Sequence, residues 1–312
     1  MVIAQAPTRI CLAGGGTDVG EYATKYGGLV LNLAINLRQR IKLSAPANSY
    51  KEILKIPSYP KGANPMFYQA FFDEFNAKDV LLDAEFDGEI TGGIGSSASA
   101  AVALIGAISR YKNLNLTRDQ IAERAWDIEI NKLNLFGGKQ DQYAAAYGGL
   151  NAMEFKDKVT VTPLNVSLIE PLLPYLMLFH TPNRKSSKIQ EGLRTITSSQ
   201  KQALDYIKQS VVEGIEILQA KEMERFATLM KTTWEAKKVS NQVTNPDIDK
   251  LYDKALKSGA MAGKIMGAGG GGYLLLMVPP DKQFDFKKDF VTKDVKWIDF
   301  SPDWQGLETR II

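Results

Sequence analysis

Apolar residues fall at every second position through Leu29, Leu31, Leu33 and Ile35. That is the period of a strand with one face against a core, and the pattern runs on as far as Leu43. Shorter apolar stretches at 2–4 and 10–13 predict two strands ahead of it, with a short helix over 21–26 that stops at Gly27-Gly28. Three prolines within 46–64 argue for a loop holding at most one short strand, at 53–56. Phe67, Ala70, Phe71, Glu74 and Phe75 predict a helix between Pro65 and Asn76 with its aromatic face inward, and residues 85–90 read as a strand. The alanine-dense run from Ala98 to Ile105 is a helix former. Thr117 with Gln120 has the spacing of a capping box and opens a helix that carries Ile121, Ala125, Ile128 and Glu129. Gly137-Gly138 breaks that pattern, Lys139-Gln140-Asp141 looks like a further helix start, and 150–155 with 159–162 reads as a hairpin.

The character changes near 163–174. Long charged amphipathic helices follow, over 186–218 with a break near Thr195, over 223–238, and over 246–258 with Gly259 as its cap. An apolar strand at 273–278, a helix at 284–290 and a strand at 296–300 complete the pattern. The fold class expected is α+β in two domains, an N-terminal α/β unit over 1–165 and a C-terminal α+β unit over 166–312.

Composition narrows the chemistry mainly by exclusion. A chain of 312 residues, 45% hydrophobic and 23% charged, has room for two domains and a sizeable core. A net charge of +3 gives no case for nucleic acid. The densest basic run, Arg38, Arg40 and Lys42, alternates with Gln39, Ile41 and Leu43 and reads as the solvated face of a strand. The single cysteine, Cys11, excludes an internal disulfide and any cysteine-cluster metal site. The single histidine, His180, ends an apolar strand and reads as structural, so Ser–His–Asp and multi-histidine chemistries have little support. No signal-peptide pattern and no apolar run of about 20 residues is present, which points to a cytoplasmic protein with no membrane partner.

Three glycine tracts, at 14–16, 92–95 and 267–272, each adjoin a strand. The middle one, Gly92-Gly93-Ile94-Gly95-Ser96-Ser97-Ala98-Ser99, runs straight into a helix. Glycines let backbone N–H groups crowd one point, and the helix start aims its unpaired N–H groups and positive dipole end there, which suits a phosphate. A serine-capped turn would carry the same residues. Thr17-Asp18 after the first tract could hydrogen-bond a polyol or form an Asx turn. Glu129 and Asp141, each of which alone reads as a surface acid, are also carboxylates of the kind a phosphoryl-transfer site needs, one as an oxygen ligand for Mg²⁺ and one near the attacking hydroxyl. Thr181 to Lys188, with Arg184, Lys185 and Ser186, gathers cations and hydroxyls between a strand and a helix. It reads as a second phosphate site or as a solvated helix start.

The run Ala6-Pro7-Thr8-Arg9-Ile10-Cys11-Leu12-Ala13-Gly14-Gly15-Gly16-Thr17-Asp18 resembles the first motif of the GHMP small-molecule kinases. Gly93-Ile94-Gly95-Ser96-Ser97-Ala98-Ser99 resembles their phosphate-binding motif, and Lys264-Ile265-Met266-Gly267-Ala268-Gly269-Gly270-Gly271-Gly272 their third. The order and separations match, so the resemblance spans nearly the whole chain. Glu89-Ile90-Thr91 and Ile94 depart from the proline, small residues and leucine usual around the second motif.

Gly14-Gly15-Gly16-Thr17-Asp18, without the Glu-His pair of galactokinases, is similar to the sugar-1-kinase branch, as is the run from Gly137 to Gly149. The resemblance implies a GHMP fold with a left-handed βαβ-type phosphate loop and a ferredoxin-like C-terminal domain. It implies ATP and Mg²⁺, with Asp141 the acid near the sugar hydroxyl and Arg9 beside it. Gly93, Gly95, Ser96, Ser97 and Ser99 would hold the nucleotide, with Ser97 and Glu129 on the metal. Gly15, Gly16, Thr17, Asp18, Arg184, Lys185, Ser186, Gly269 and Gly270 would contact the substrate. The acceptor expected is a sugar or sugar phosphate taken at its anomeric hydroxyl, with D-glycero-D-manno-heptose 7-phosphate, giving the 1,7-bisphosphate, ahead of an unphosphorylated fucose or galactose. A catalytically silent binding protein of the same fold is the third reading, and a homodimer stays open.

Overall fold

The computed structural model describes residues 1–45, 64–77, 80–89, 92–181, 195–240, 243–267 and 269–312. The short strand expected at 53–56, the first turns of the helix expected from 186, and Arg184, Lys185 and Ser186 lie outside these residues.

The first sheet is built on the antiparallel pair β1 (Val2–Ala13) and β2 (Gly28–Ser44). The helix α1 (Gly20–Tyr26) joins them. On its other edge β2 pairs along its second half with β3 (Leu81–Phe86) and along its first half with β4 (Leu150–Phe155), which makes a hairpin with β5 (Val159–Pro163). Both β3 and β4 run antiparallel to β2, hence parallel to each other, and the helices between them form the crossover.

The two strands expected at 2–4 and 10–13 are one. The polar stretch Gln5 to Arg9 with Pro7 hides the continuity, and the pairing shifts register between Pro7 and Thr8. Proline cannot donate to a ladder and is tolerated where pairing is irregular. The irregularity also changes which face each residue uses. Val2, Ala4 and Ala6 face one core, whereas Ile10 and Leu12 face the other.

Four helices cover the first face: α2 (Pro65–Glu74), α3 (Ser96–Tyr111), α4 (Arg118–Asp127) and α5 (Gln140–Tyr147). Only Ser97, Arg110 and Tyr111 of α3 escape burial, the mark of a helix inside a core rather than on its surface. Its alanines let it lie close to β1 and β2, against Tyr68, Phe71 and Ala144 to Ala146. The capping box at Thr117 is present, and α4 continues as a π-helical turn, Ile128–Lys132, that carries Glu129.

The second sheet has the order β7-β8-β6-β9, all antiparallel, from β6 (Leu176–Thr181), β7 (Ala262–Ile265), β8 (Gly272–Met277) and β9 (Lys296–Ile298). The helices α6 (Ser198–Ala220), α7 (Met223–Ser240) and α8 (Pro246–Lys257) lie between β6 and β7, and α9 (Gln283–Phe290) between β8 and β9. This β-α-β-β-α-β sequence with that strand order is ferredoxin-like. Its residues Leu178, Leu275 and Met277 share a core with Ile10, Leu12, Leu31 and Leu33 of the first sheet. His180 sits in β6, edge-on to the Tyr273 ring of its cross-strand neighbour.

Three further features lie outside the pattern read from sequence. The strand β7 was not anticipated, because Gly263 and Lys264 interrupt its apolar pattern although all four of its residues are buried. A strand β10 (Glu308–Ile311), polar and exposed, crosses back to pair with β1, so these residues join the first sheet rather than the unit expected over 166–312. That tail also changes the basic run. Arg38 is buried, its guanidinium gripping both oxygens of Asp303 at 2.5 and 2.7 Å and Glu308 at 2.5 Å. Arg40 pairs with Asp87, and Lys42 with Asp83 and Glu85. The stripe is ion-paired, not simply solvated.

Candidate active site

The register irregularity of β1 sets Arg9 beside the glycine loop. Its backbone N–H donates to the Ile94 carbonyl at 3.0 Å, and its Nη1 to the Gly93 carbonyl at 2.6 Å. Its Nε donates to Asp141 Oδ1 at 2.8 Å, and Nη2 lies 2.5 Å from the same oxygen. Arg9 is 3% exposed whereas the Asp141 side chain is 31% exposed, so the arginine is a buried brace and the carboxylate opens outward.

Asp141 stands in the first turn of α5, against the first turn of α3. Gly95, the residue before α3, is left-handed at φ 77°, and a Cβ there would meet the Asp141 carboxyl carbon at 3.1 Å. Ser97 is the exposed residue of the α3 start, Ser96 and Ser99 being buried. The Ser99 hydroxyl donates to the Ala6 carbonyl at 2.6 Å, which ties α3 to β1 and leaves that serine structural in its contacts. Ile94, where the resembled family has leucine, is wholly buried in the core between the sheets.

Ser97 hydrogen-bonds Glu129, and Gln142 Nε2 donates to Glu129 Oε2 at 2.7 Å. Burial pushes the Glu129 carboxyl up to about 7, against the pull of those two hydrogen bonds, and the nearby Asp141 charge adds to the rise. A carboxylate and a hydroxyl at a helix N-terminus are a hard-oxygen pair fit for Mg²⁺, which keeps several waters and takes other ligands from phosphates. Among the described residues no group of three or more His, Cys, Asp or Glu is placed to hold a metal by itself.

The first tract builds a turn over Asp18. Thr17 Oγ1 donates to the Gly14 and Leu29 carbonyls at 2.8 and 2.9 Å and accepts from Leu29 N–H at 3.1 Å, so its hydroxyl is spent on the backbone. Gly16, at φ 100°, has open space where a Cβ would stand. Asp18 is 7% exposed. Its Oδ2 accepts from the Gln140 N–H at 3.3 Å and its Oδ1 has no partner among the described residues. Burial, then the Asp141 charge, push the Asp18 carboxyl above the usual carboxylate range. A Cβ at Gly138 would overlap Asp18 Oδ2, so what the sequence shows as a helix break is the gap that admits this carboxylate.

The third tract closes directly on the second. A Cβ on Gly93 would meet the Met266 carbonyl at 2.7 Å, and side chains at Gly267 and Gly272 would overlap Gly93 and the Gly92 carbonyl. Gly269 is crowded by Val243, and Gly270 N–H donates to the Val243 carbonyl at 2.7 Å. These glycines serve backbone-to-backbone contact around the site.

Two buried lysines were not singled out from sequence. Lys237 of α7 and Lys264 of β7 are 9% and 4% exposed. The signal for Lys237 was its place on the inward stripe of α7, after Phe226, Met230, Thr233 and Trp234. The Lys237-Lys238 pair disguised it as an ordinary charged helix end.

Comparison with known proteins places the chain in a family. The GHMP kinases N terminal domain matches residues 61–149 and the GHMP kinases C terminal domain matches residues 215–295. The chain is 31% identical to a D-glycero-alpha-D-manno-heptose 7-phosphate kinase of Campylobacter jejuni, over 98% of this chain and 97% of that one. It is 26% identical to an L-fucokinase/L-fucose-1-P guanylyltransferase of Bacteroides fragilis, over 91% of this chain but 35% of that protein. The crystal structure of a D-glycero-D-manno-heptose 1-phosphate kinase from Bacteroides thetaiotaomicron superposes with a TM-score of 0.79 at 26% identity, covering 100% of this chain and 99% of that one. With both family domains matched in order and a full-length relative above 30% identity, the chain belongs to the GHMP kinases, in their two-domain α+β fold.

Proposed function

We propose that this kinase transfers the γ-phosphate of ATP to the anomeric hydroxyl of a sugar phosphate, with D-glycero-D-manno-heptose 7-phosphate the first substrate to test. The observation that carries the reading is the Arg9–Asp141 pair beside the α3 N-terminus. Both arginine contacts end on Oδ1, while Oδ2 lies toward Gly95 and the helix start. A hydroxyl bound there meets a carboxylate oxygen on one side and a phosphate-binding helix end on the other. Asp141 orients that hydroxyl and can take its proton, and an anomeric hydroxyl is more acidic than an ordinary alcohol. Mg²⁺ would be held by Ser97 and Glu129 with the nucleotide phosphates, and would supply charge neutralisation during transfer. Gly93, Gly95 and Ser96 offer backbone N–H groups for the triphosphate, and Asp18 with Gly15 and Gly16 borders the acceptor.

The heptose is supported by the names of two relatives, which place its phosphate at different positions. The fucokinase relative favours a second reading, an unphosphorylated sugar as acceptor. An ADP-release assay over heptose 7-phosphate, sugar 6-phosphates, fucose and galactose separates them. The highest kcat/KM is expected with the heptose 7-phosphate, and turnover confined to free sugars would overturn that choice. Arg184 and Lys185, outside the described residues, are expected from sequence to read the acceptor's own phosphate, so Arg184→Ala should raise KM for a sugar phosphate much more than KM for ATP.

A further inference from the structure

Lys237 is a buried cation with no use so far in the site. Its Nζ donates to the Gly267 carbonyl of the third tract at 2.9 Å and lies 3.8 Å from the place a Gly15 Cβ would take in the first. It therefore bridges two of the three tracts, and Arg9 and Asp18 are close enough to act on its charge. A second buried ammonium, Lys264, reaches the Leu12 carbonyl at 3.4 Å.

An ammonium taken out of water is costly unless an opposite charge meets it. Among the described residues neither lysine has a carboxylate within ion-pair distance, and the carboxylate paired with Arg9 is Asp141. Arg9 and Lys237 thus lie near a buried Asp18 that its surroundings push toward its neutral form, and Lys264 adds a further positive charge beside both. The cluster lacks negative charge, and Lys237, its Nζ bonded to one carbonyl, keeps donors with which to meet it.

We propose that Lys237 is a catalytic residue whose ammonium hydrogen-bonds an oxygen of the phosphoryl group as it passes from nucleotide to acceptor. In that step the bond between the γ-phosphorus and the bridging oxygen of ADP breaks and the bond to the acceptor oxygen forms. The acceptor's proton leaves toward Asp141. Lys237 gains and loses nothing; it balances the charge spread over the oxygens of the group in flight. Burial, then the neighbouring Lys264, push Lys237 down to about 8, as expected of a cation whose anion arrives only with substrate. The proposal rests on phosphoryl transfer at this site and not on which sugar accepts.

The test compares Lys237→Met and Lys237→Arg with the parent enzyme. Methionine keeps the bulk and removes the buried charge, so Lys237→Met should fold with an unchanged or higher melting temperature. Its kcat should fall by about 10²–10³, the usual worth of one donor to a developing charge, with KM for ATP and for acceptor within about threefold. Lys237→Arg should recover part of the loss. A Lys237→Met kcat within about threefold of the parent overturns the proposal. So does a rise in KM confined to phosphorylated acceptors, which would assign the lysine to the acceptor's own phosphate. The acceptor-free hydrolysis of ATP gives the same kcat comparison whichever sugar is right, so a wrong acceptor and a wrong role for Lys237 give different results.

Discussion

Arg9 and Asp141 meet through one oxygen: Nε and Nη2 of the arginine both end on Oδ1, while Nη1 holds the Gly93 carbonyl of the glycine loop. One side chain thus fixes the distance between the carboxylate and the loop, and leaves the second carboxylate oxygen without a claim from that arginine. Asp141→Asn keeps the shape and weakens both the acceptance of a proton and the pairing with Arg9. We expect kcat to fall by roughly 10²–10⁴, with ATP affinity measured by calorimetry unchanged. Near-parental turnover would remove Asp141 from the chemistry.

Adjacent glycines offer an internal control. A Cβ at Gly138 would overlap Asp18 Oδ2, whereas one at Gly137 would meet nothing within 4 Å. Gly138→Ala must therefore move Asp18 or the start of α5, at about 1–3 kcal/mol for overpacking, and should raise acceptor KM. Gly137→Ala should change neither quantity appreciably. Thermal melts and acceptor KM for the two variants check this; equal effects would mean that the gap around Asp18 is not what Gly138 provides.

Buried Lys237 makes stability depend on pH in a definite direction. Its pKa falls to about 8 on folding from an ordinary 10.5. Between those values the unfolded chain binds the more protons, so this group's contribution to stability rises with pH across that window and is constant below it. Lys237→Met lacks the penalty. It should exceed the parent by an amount on the order of 3 kcal/mol near pH 7, and that advantage should shrink as pH rises from about 8 to 10.5. Denaturant unfolding of both proteins across that range measures it, and a constant difference would contradict the assignment.

The tail is held by charge. Arg38 grips both oxygens of buried Asp303 and also reaches Glu308 of β10. Asp303→Ala leaves a buried guanidinium short of its main partner and should cost about 3–5 kcal/mol. Amide exchange should then quicken over residues 308–311, which pair with β1. Unchanged protection there would show that backbone pairing alone keeps β10 in place.

Much of this was legible from sequence where one signal sufficed. The alternation of β2, the capping box at Thr117, the aromatic face of α2 and the buried helix after the glycine loop all lie where pattern puts them. Pattern failed where tertiary structure supplied the reason. The continuity of β1 depends on an irregularity at Pro7 that only its pairing reveals. The polar strand β10 exists because β1 offers an edge, and Arg38 is buried because that tail returns. In the site, Arg9, Ser97, Glu129 and Asp141 come together from four separate stretches, a grouping that only the resemblance to the kinase motifs implies from sequence. Thr17 and Ser99 had the right residue types, but their hydroxyls are taken by backbone. Lys237 is not legible because a charge on an inward helix stripe looks, in sequence, like a charge on an outward one.

The proposed transfer moves phosphate to the anomeric oxygen of a phosphorylated sugar. Phosphorus NMR of the product formed from ATP and D-glycero-D-manno-heptose 7-phosphate tests it most directly. We expect a second phosphate resonance coupled to the anomeric proton, absent with Asp141→Asn. A product phosphorylated at any other carbon, or no transfer while a free sugar is phosphorylated, would contradict it.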